Sequence, residues 1–333
     1  MKFLVCGGTG FIGSTFILNH LKNNPDDKII NLDNLSIGSN KENLKQVENT
    51  SNYSFIKDDI RNFDSIITIT KDVDIIVNFA AETHVDRSIA NPKPFIDTNI
   101  VGTLSLLEAV RKHDLHYIHI STDELYGDAK GKESFTEESP LNPSNPYAAS
   151  KASSDLLVKS YYRTYGIGCL ISRCTNNFGP SQFPEKLIPK TIIRAIKGLK
   201  IPLYDGGHQV RSWIHVLDHV NAIESLISKG KFGEVYNITA YNEQTNRDVV
   251  KKILTILGKD ENLIQDVQDR PGHDERYSVN ASKIQQLGWK PEFKFEQALE
   301  QTVEWYQKNQ SWWEPLANER TLHPQPWTLS WKK

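Results

Sequence analysis

The sequence predicts an α/β fold, a doubly wound parallel sheet followed by a smaller C-terminal domain. Three features carry that expectation. Six short, nearly continuous apolar runs recur through the first half, helix-compatible stretches separate most of them, and a glycine-rich turn follows the first run. A strand that is apolar on both sides is buried on both faces, and helices between such strands supply the cover. Ligands of such a sheet sit beyond the C-terminal ends of its strands.

Taken in order, the runs are "KFLVCG" from Lys2, "KIINLD" from Lys28, "YSFIKDDI" from Tyr53, "VDIIVNFAAE" from Val73, "HYIHISTDE" from His116 and "IGCLISR" from Ile167. From about Asn176 the alternation stops. "NNFGPSQFPEKLIPK" is a loop punctuated by Pro and Gly, and the helices and short strands after it follow no regular order. The expected division is a dinucleotide-binding domain over residues 1–175 and a ligand-binding domain over 176–333, partly interleaved with the first.

A length of 333 residues fits roughly two domains. Hydrophobic residues at 38% and charged residues at 24% suit a soluble globular chain. A net charge of −2 and the lack of a basic cluster argue against a nucleic-acid partner. No apolar stretch approaches a membrane span, and a first strand at Lys2 leaves no room for a signal peptide. Cys6, Cys169 and Cys174 are scattered and odd in number, which reads as reduced thiols in a cytoplasmic setting.

The first strand feeds "CGGTGFIGS", with Gly7, Gly10 and Gly13 spaced G-x-x-G-x-x-G. A tight turn, a close backbone approach and close helix packing each need a residue without Cβ. The helix opening there offers free N–H groups and a positive dipole end to a pyrophosphate. Asp33 ends the next strand, where an acid hydrogen-bonds an adenosine ribose 2′-hydroxyl and repels a 2′-phosphate. That favours NAD over NADP.

In "PYAASK", Tyr147 and Lys151 are four residues apart and share one face of a helix. Pro140, Pro143 and Pro146 stiffen the approach. A lysine beside a tyrosine is expected to stabilise the phenolate and lower its pKa, so that the pair acts as a base on a hydroxyl, with Thr122 as a third polar group. Such a pair also arises by chance on solvated helix faces; the upstream glycine turn decides for catalysis. The adjacent acids Asp123 and Glu124, straight after a buried strand, either cap the next turn or serve chemistry.

The segments "FAAETHVDRSI", "STDELYG", "NPYAASKA", "NNFGPSQFPEKLIP", "VRSWIHVLDH" and "DRPGHDERY" occur in this order from residue 79 to 277. With the glycine turn they resemble the nucleotide-sugar 4,6-dehydratases of the extended short-chain dehydrogenase/reductase superfamily, most closely those acting on dTDP-glucose. The likeness runs nearly the whole chain, through "LGWKP" and "WWEPL". It implies a Rossmann-type domain, bound NAD, a homodimer, and conversion of dTDP-glucose to dTDP-4-keto-6-deoxyglucose in deoxysugar (rhamnose-type) biosynthesis. Tyr147 would take the C4 hydroxyl proton while NAD accepts the C4 hydride; Glu124 would remove the C5 proton, Asp123 would protonate the departing C6 oxygen, and the hydride would return to C6.

Further positions follow from the same likeness. Phe11, Ile12 and Ala80 join the glycines, Tyr147 and Lys151 around the dinucleotide, and Asp59 and Ile60 cradle its adenine. Thr83, Thr122, Asn176, Lys186, Leu187, Pro202, Tyr204, Arg211, Asn246, Arg270 and His273 hold the nucleotide sugar. Arg211 and Arg270 suit a pyrophosphate, because a guanidinium binds phosphate bidentately. The dimer would pair helices near residues 94–112 and 146–165, where "TNIVGTLSLLEAV" and "KASSDLLVKSYY" carry apolar stripes.

Leu125, Phe178, Ser181 and Ser212 depart from the family pattern and are expected to bear on substrate preference. UDP-glucose or a UDP-N-acetyl sugar remains an alternative substrate, and a 4-epimerase or decarboxylase an alternative activity, though neither of those needs Asp123. A regulator that only senses NAD would not need the tyrosine and lysine. His113, His116 and His119 do not read as a metal site, since residues 116 and 119 point to opposite faces of a strand. In the tail, Trp327 and Trp331 are expected to pack on the protein's own surface.

Overall fold

The first sheet takes its order from six apolar runs and one later return. Its strands are β1 (Lys2–Cys6), β2 (Lys28–Asp33), β3 (Tyr53–Lys57), β4 (Ile75–Asn78), β5 (His116–Thr122) and β6 (Cys169–Cys174). The computed structural model describes residues 1–329. Three strands come from the C-terminal half before the return: β7 (Asn176–Phe178), β8 (Ile201–Tyr204) and β9 (Val210–His215). The chain then rejoins the first sheet as β10 (Val235–Ile238), parallel to β6. The full order is β10-β6-β5-β4-β1-β2-β3, all parallel, and it reverses direction between β1 and β4, the place where such sheets bind ligands.

Helices cover both faces. α1 (Phe11–Asn23), α2 (Phe63–Ile69) and the short α3 (Val85–Ala90) follow β1, β3 and β4. α4 (Lys93–Phe95) runs through a π-helical stretch, Ile96–Gly102, into α5 (Thr103–His113). α6 (Pro146–Tyr165) starts on the Asn145 cap, whose Oδ1 accepts the Ala148 N–H at 2.9 Å, with Pro146 at the first helical position and Gly166 closing the end at φ +68°. One core lies on the α1 side with Phe3, Val5, Phe16 and Ile118; the other packs Leu4, Ile76, Leu106 and Val158 under α5 and α6.

The second unit is smaller. β9 pairs with β7 in parallel and with β11 (Asn242–Thr245) antiparallel, while β8 pairs with β12 (Ile264–Val267). α7 (Leu187–Ile196) and α9 (Asn246–Ile256) pack there, whereas α8 (Val216–Lys229) lies between them in sequence and packs on α1. The tail turn Pro326–Thr328 lies against α3 with Trp327 half-buried; Trp331 falls outside the described residues. No described helix is long and apolar enough to cross a membrane. The three cysteines are free and buried.

Candidate active site

One cleft at the C-terminal ends of the strands gathers Gly7, Gly10, Phe11, Ile12, Gly13, Asp33, Ile60, Ala80, Thr83, Thr122, Asp123, Glu124, Tyr147, Lys151, Asn176 and Lys186. Its glycine turn is forced by sterics. Gly7 has φ +75°, and a Cβ there would stand 2.6 Å from the Ala80 nitrogen; a Cβ on Gly13 would stand 2.4 Å from the Gly7 oxygen. Gly10 is different: its Cβ would meet that oxygen at 3.3 Å and the Gly38 oxygen at 4.0 Å, and would otherwise point into the cleft beside the α1 N-terminus. The Asp33 carboxylate is fixed by the N–H groups of Thr9 at 3.1 Å and Leu35 at 2.8 Å. Asp58 and Ile60 line the cleft, while the Asp59 carboxylate is engaged by Arg61 and Asn34.

β5 delivers the acids. Thr122 ends the strand and caps a short 3₁₀ turn, Asp123–Tyr126, its Oγ1 accepting the Glu124 N–H at 3.3 Å. The threonine is therefore the cap, so neither carboxylate is spent on it, and Asp123 Oδ1 takes the Thr122 hydroxyl at 3.4 Å. Asp123 Oδ2 and Glu124 Oε2 are buried with no hydrogen-bond partner among the described residues. Burial, then the charge of Glu124, pushes the Asp123 carboxyl up to about 8, so it is protonated at neutral pH. Burial raises Glu124 too, but Arg270, Arg211 and Lys186 oppose it. The two neighbours thus sit in unlike fields.

Tyr147 and Lys151 share the buried face of α6, as their spacing predicts. The expected effect of the lysine on the phenol is not found. Burial and the charge of Glu124 raise the Tyr147 pKa, with the Thr122 hydroxyl opposing. The Lys151 ammonium instead donates to the Ile120 carbonyl at 2.7 Å, and burial lowers it to about 8. A desolvated phenol resists ionisation more strongly than a nearby ammonium favours it.

The sugar-nucleotide residues from the C-terminal half divide. Arg270 donates to Asp86 Oδ1 at 2.7 Å, Tyr204 donates to Asp86 Oδ2 at 2.5 Å, and His273 Nδ1 meets Asp269 at 2.7 Å. Arg211 donates to the carbonyls of Val210 and Asp274 and lies 4.2 Å over the Tyr277 ring. Lys186 donates to the Thr83 carbonyl at 2.8 Å. Gln209 ties Tyr204 to Asn246, giving a hydrogen bond to the first carbonyl and accepting one from the second residue's N–H. Pro202 sits in register with Gln265 between β8 and β12, and Leu187 opens α7 and packs against the core, so neither of these two lines the cleft.

Sequence reasoning missed a buried acidic set. Asp86 is held well below the usual carboxylate range, since Arg270, His84 and Tyr204 overcome its burial. Arg87 bridges Glu82 at 2.9 Å and Glu185 at 3.1 Å, and both acids line the cleft. The one available signal was "HVDR", two opposite charges in an otherwise apolar turn. The departing residues prove to be structural. Phe178 is 1% exposed and packs on Trp213 and Phe295, Leu125 is buried beside Ala152, and Ser212 hydrogen-bonds Thr239 at 2.8 Å. Ser181 stands at φ +64°, a turn position. His113, His116 and His119 meet the Ile67 carbonyl, the Phe232 ring and the Tyr117 hydroxyl respectively.

Comparison with known proteins agrees with this geometry. A family model described as GDP-mannose 4,6 dehydratase matches residues 4–302. The chain is 45% identical over 351 residues to a dTDP-glucose 4,6-dehydratase of Escherichia coli, covering 96% of this chain and 97% of that one. It superposes with a TM-score of 0.93 on DesIV, a dTDP-glucose 4,6-dehydratase from Streptomyces venezuelae with NAD bound, at 44% identity over 95% of this chain and 100% of that one. The dTDP-glucose 4,6-dehydratase from Bacillus anthracis in complex with NAD gives 0.89 at 46% identity, over 95% and 99%. The chain belongs to the nucleotide-sugar 4,6-dehydratase family, among its dTDP-glucose 4,6-dehydratases.

Proposed function

We propose that the protein is an NAD-dependent lyase that converts dTDP-glucose to dTDP-4-keto-6-deoxyglucose by removing water across C5–C6. The observation that carries this reading is the buried Asp123–Glu124 pair, one bare oxygen from each, beside Tyr147. The cleft suits the dinucleotide: Gly10 leaves space at a helix N-terminus, and Asp33 waits at the end of β2. Bound NAD supplies a temporary store for the hydride taken from C4 and returned at C6.

The remaining chemistry belongs to side chains. Tyr147 accepts the C4 hydroxyl proton as a phenolate, a form that its burial opposes and that the Lys151 cation must stabilise, with Thr122 steadying the oxygen. Glu124, whose burial raises its pKa while Arg270, Arg211 and Lys186 favour its carboxylate, removes the C5 proton, which a 4-ketone acidifies. Asp123, protonated at neutral pH, gives its proton to the leaving C6 oxygen. Arg270, Arg211 and Lys186 surround the position of the diphosphate and favour the anionic substrate. Water exclusion follows from the burial of both acids.

The protein acts as a homodimer in this reading. α5 with its π-helical lead-in exposes Ile96, Val101 and Leu104, and α6 exposes Leu156, Tyr162 and Tyr165, while the opposite faces of both helices cover the sheet. The test of the activity is product analysis of purified protein given dTDP-glucose. A 4-keto-6-deoxy product is expected, and Glu124→Gln should still oxidise C4 but exchange the C5 proton slowly. Recovery of a 4-epimer in place of the keto sugar would overturn the assignment.

A further inference from the structure

Lys151 lies at the end of a hydrogen-bond chain whose direction Ser154 fixes. Ser154 Oγ gives its own hydrogen to the Lys151 carbonyl at 2.8 Å, so at 3.1 Å it accepts from His119 Nε2, which carries the ring hydrogen. His119 Nδ1 is then an acceptor and takes the Tyr117 phenol hydrogen at 3.0 Å. Tyr117 in turn accepts from Asn78 Nδ2 at 3.1 Å, the Asn78 Oδ1 being held by the Ala80 N–H at 3.1 Å. Burial, with the charges of Lys151 and Arg173, keeps the ring neutral. Lys151 Nζ, 3.4 Å from Nε2, thus meets an N–H and not a lone pair.

Beyond the ring is Asp155, fully buried. Its Oδ2 accepts the Arg173 Nε–H at 2.8 Å, and Arg173 turns its other nitrogen to the Tyr126 hydroxyl. Asp155 Oδ1 lies 3.5 Å from His119 Nε2 and has no hydrogen-bond partner among the described residues. A bare, ionised oxygen in a protein interior is unfavourable unless a charge nearby offsets it. Arg173 engages only the other oxygen. Asp155 Oδ1, at 3.5 Å, and Lys151 Nζ, at 3.4 Å, both approach His119 Nε2, so the two charges lie within about 7 Å of each other.

We propose that Asp155, acting across the His119 ring, is the counter-charge that keeps Lys151 a cation beside Tyr147. Asp155 is then a positioning residue of the reaction, a role that rests on the reading of Tyr147 and Lys151 given above. The titratable and charged groups around Lys151 are Tyr147 and Asp155 from α6, Tyr117 and His119 from β5, and Arg173 from β6. Glu124, Asp123 and, last of the three, Asp155 itself act on Tyr147, each disfavouring its phenolate, so the support from Asp155 runs through Lys151 alone. Burial brings the Lys151 amine down to about 8, and Asp155 opposes that fall. Without Asp155 the amine loses its proton at lower pH, and the phenolate formed on Tyr147 loses its partner at neutral pH.

The test is NMR titration of Lys151 in the holoenzyme with carbon-13-labelled lysine, the resonance being identified by its loss in Lys151→Arg. In Asp155→Asn the amine should titrate about one unit or more lower than in the wild type. Arg173→Met breaks the same ion pair but keeps the carboxylate, so its titration should not fall. An unmoved titration in Asp155→Asn, or equal falls in both variants, overturns the proposal. Should Asp155→Asn fold poorly with Arg173 unpaired, the double variant Asp155→Asn/Arg173→Met removes both buried charges, and Lys151 must titrate lower in it than in Arg173→Met. The readout does not depend on turnover, so missing dehydratase activity would count against the functional reading and leave this result standing.

Discussion

Arg270 and Asp86, 184 residues apart in sequence, meet at 2.7 Å in a buried ion pair whose second carboxylate oxygen takes the Tyr204 hydroxyl. Asp86 sits on α3, and its two partners come from the C-terminal half. One acid thus fixes two residues proposed to hold the nucleotide diphosphate. Arg270 Nε is buried without a partner among the described residues, so the guanidinium keeps a donor to offer.

Asp86→Asn should therefore weaken binding more than chemistry. A lost charge-assisted hydrogen bond costs about 1.5–3 kcal/mol, roughly tenfold to a hundredfold in affinity. KM for the nucleotide sugar should rise by about that factor with kcat nearly kept. Steady-state kinetics decide it: a kcat loss with KM unchanged would place Asp86 in another role.

Asp123 ties activity to stability. Its folded-state pKa, about 8, lies above the ordinary carboxylate value of 3.8 because of burial and then Glu124. The unfolded chain releases this proton near the ordinary value, so the folded state pays an increasing cost as pH rises from there to about 8. The acid form also disappears through the same upper range, and elimination should slow above it. Asp123→Asn should cut turnover by about 10²–10⁴-fold. It should also raise the melting temperature at neutral pH by on the order of a few degrees, and flatten its decline between pH 4 and 8. A melting temperature lower than wild type across that range would contradict the account.

Two of the glycines predict unlike failures. Gly10→Val puts its side chain into the cleft, where only the Gly7 oxygen at 3.3 Å and the Gly38 oxygen at 4.0 Å are near its Cβ, so the variant should fold and lose NAD. Gly13→Val drives Cβ onto the Gly7 carbonyl and should destabilise the domain outright. Circular dichroism melts and the dinucleotide content of the purified variants separate the two cases. Retained NAD in Gly10→Val would show that the pyrophosphate does not approach there.

Much of this was legible in the sequence, for physical reasons. Strands β1, β2, β4, β5 and β6 read correctly because a strand buried on both faces is apolar nearly throughout, whereas β3, the partly exposed edge strand, was legible from Tyr53, Phe55 and Ile56. β10 was missed: "VYNI" is four residues long and contains an asparagine whose amide is satisfied by distant partners, the Tyr126 hydroxyl and the Phe135 carbonyl. The adjacent acids were visible because Asp123 and Glu124 break an apolar strand. Asp86 and Glu185 were not, since their partners lie about a hundred residues or more away and leave no local pattern. The Tyr–Lys spacing gave a shared helix face but not the direction of the lysine's hydrogen bonds, which β5 decides through Ile120 and His119.

The exposed faces of α5 and α6 predict self-association. Leu156 is 57% exposed in the middle of α6, with Leu104 and Val101 exposed on the preceding helix. Single exposed leucines are ordinary, but a row along two neighbouring helices is a docking face. Sedimentation should find a dimer, and Leu156→Glu should yield a monomer with its fold intact. A wild-type monomer at every concentration would mean that both helices serve only to cover the sheet.

The last prediction is the choice of nucleotide. dTDP differs from UDP by a base methyl and a missing ribose 2′-hydroxyl. A pocket gains only about 1–3 kcal/mol from one methyl-sized group, so the preference need not be large. The residues that depart from the family pattern do not weaken the expectation of dTDP-glucose. Phe178 is interior, edge-on to Trp213 and His215, Leu125 is wholly buried, and Ser212 is satisfied by Thr239. A changed side chain in the core alters packing without itself meeting the base or the ribose. With dTDP-glucose and UDP-glucose competing at equal concentration, kcat/KM should favour dTDP-glucose by about tenfold or more. A reversed preference would move the substrate to the UDP sugars while Asp123, Glu124 and Tyr147 kept their roles.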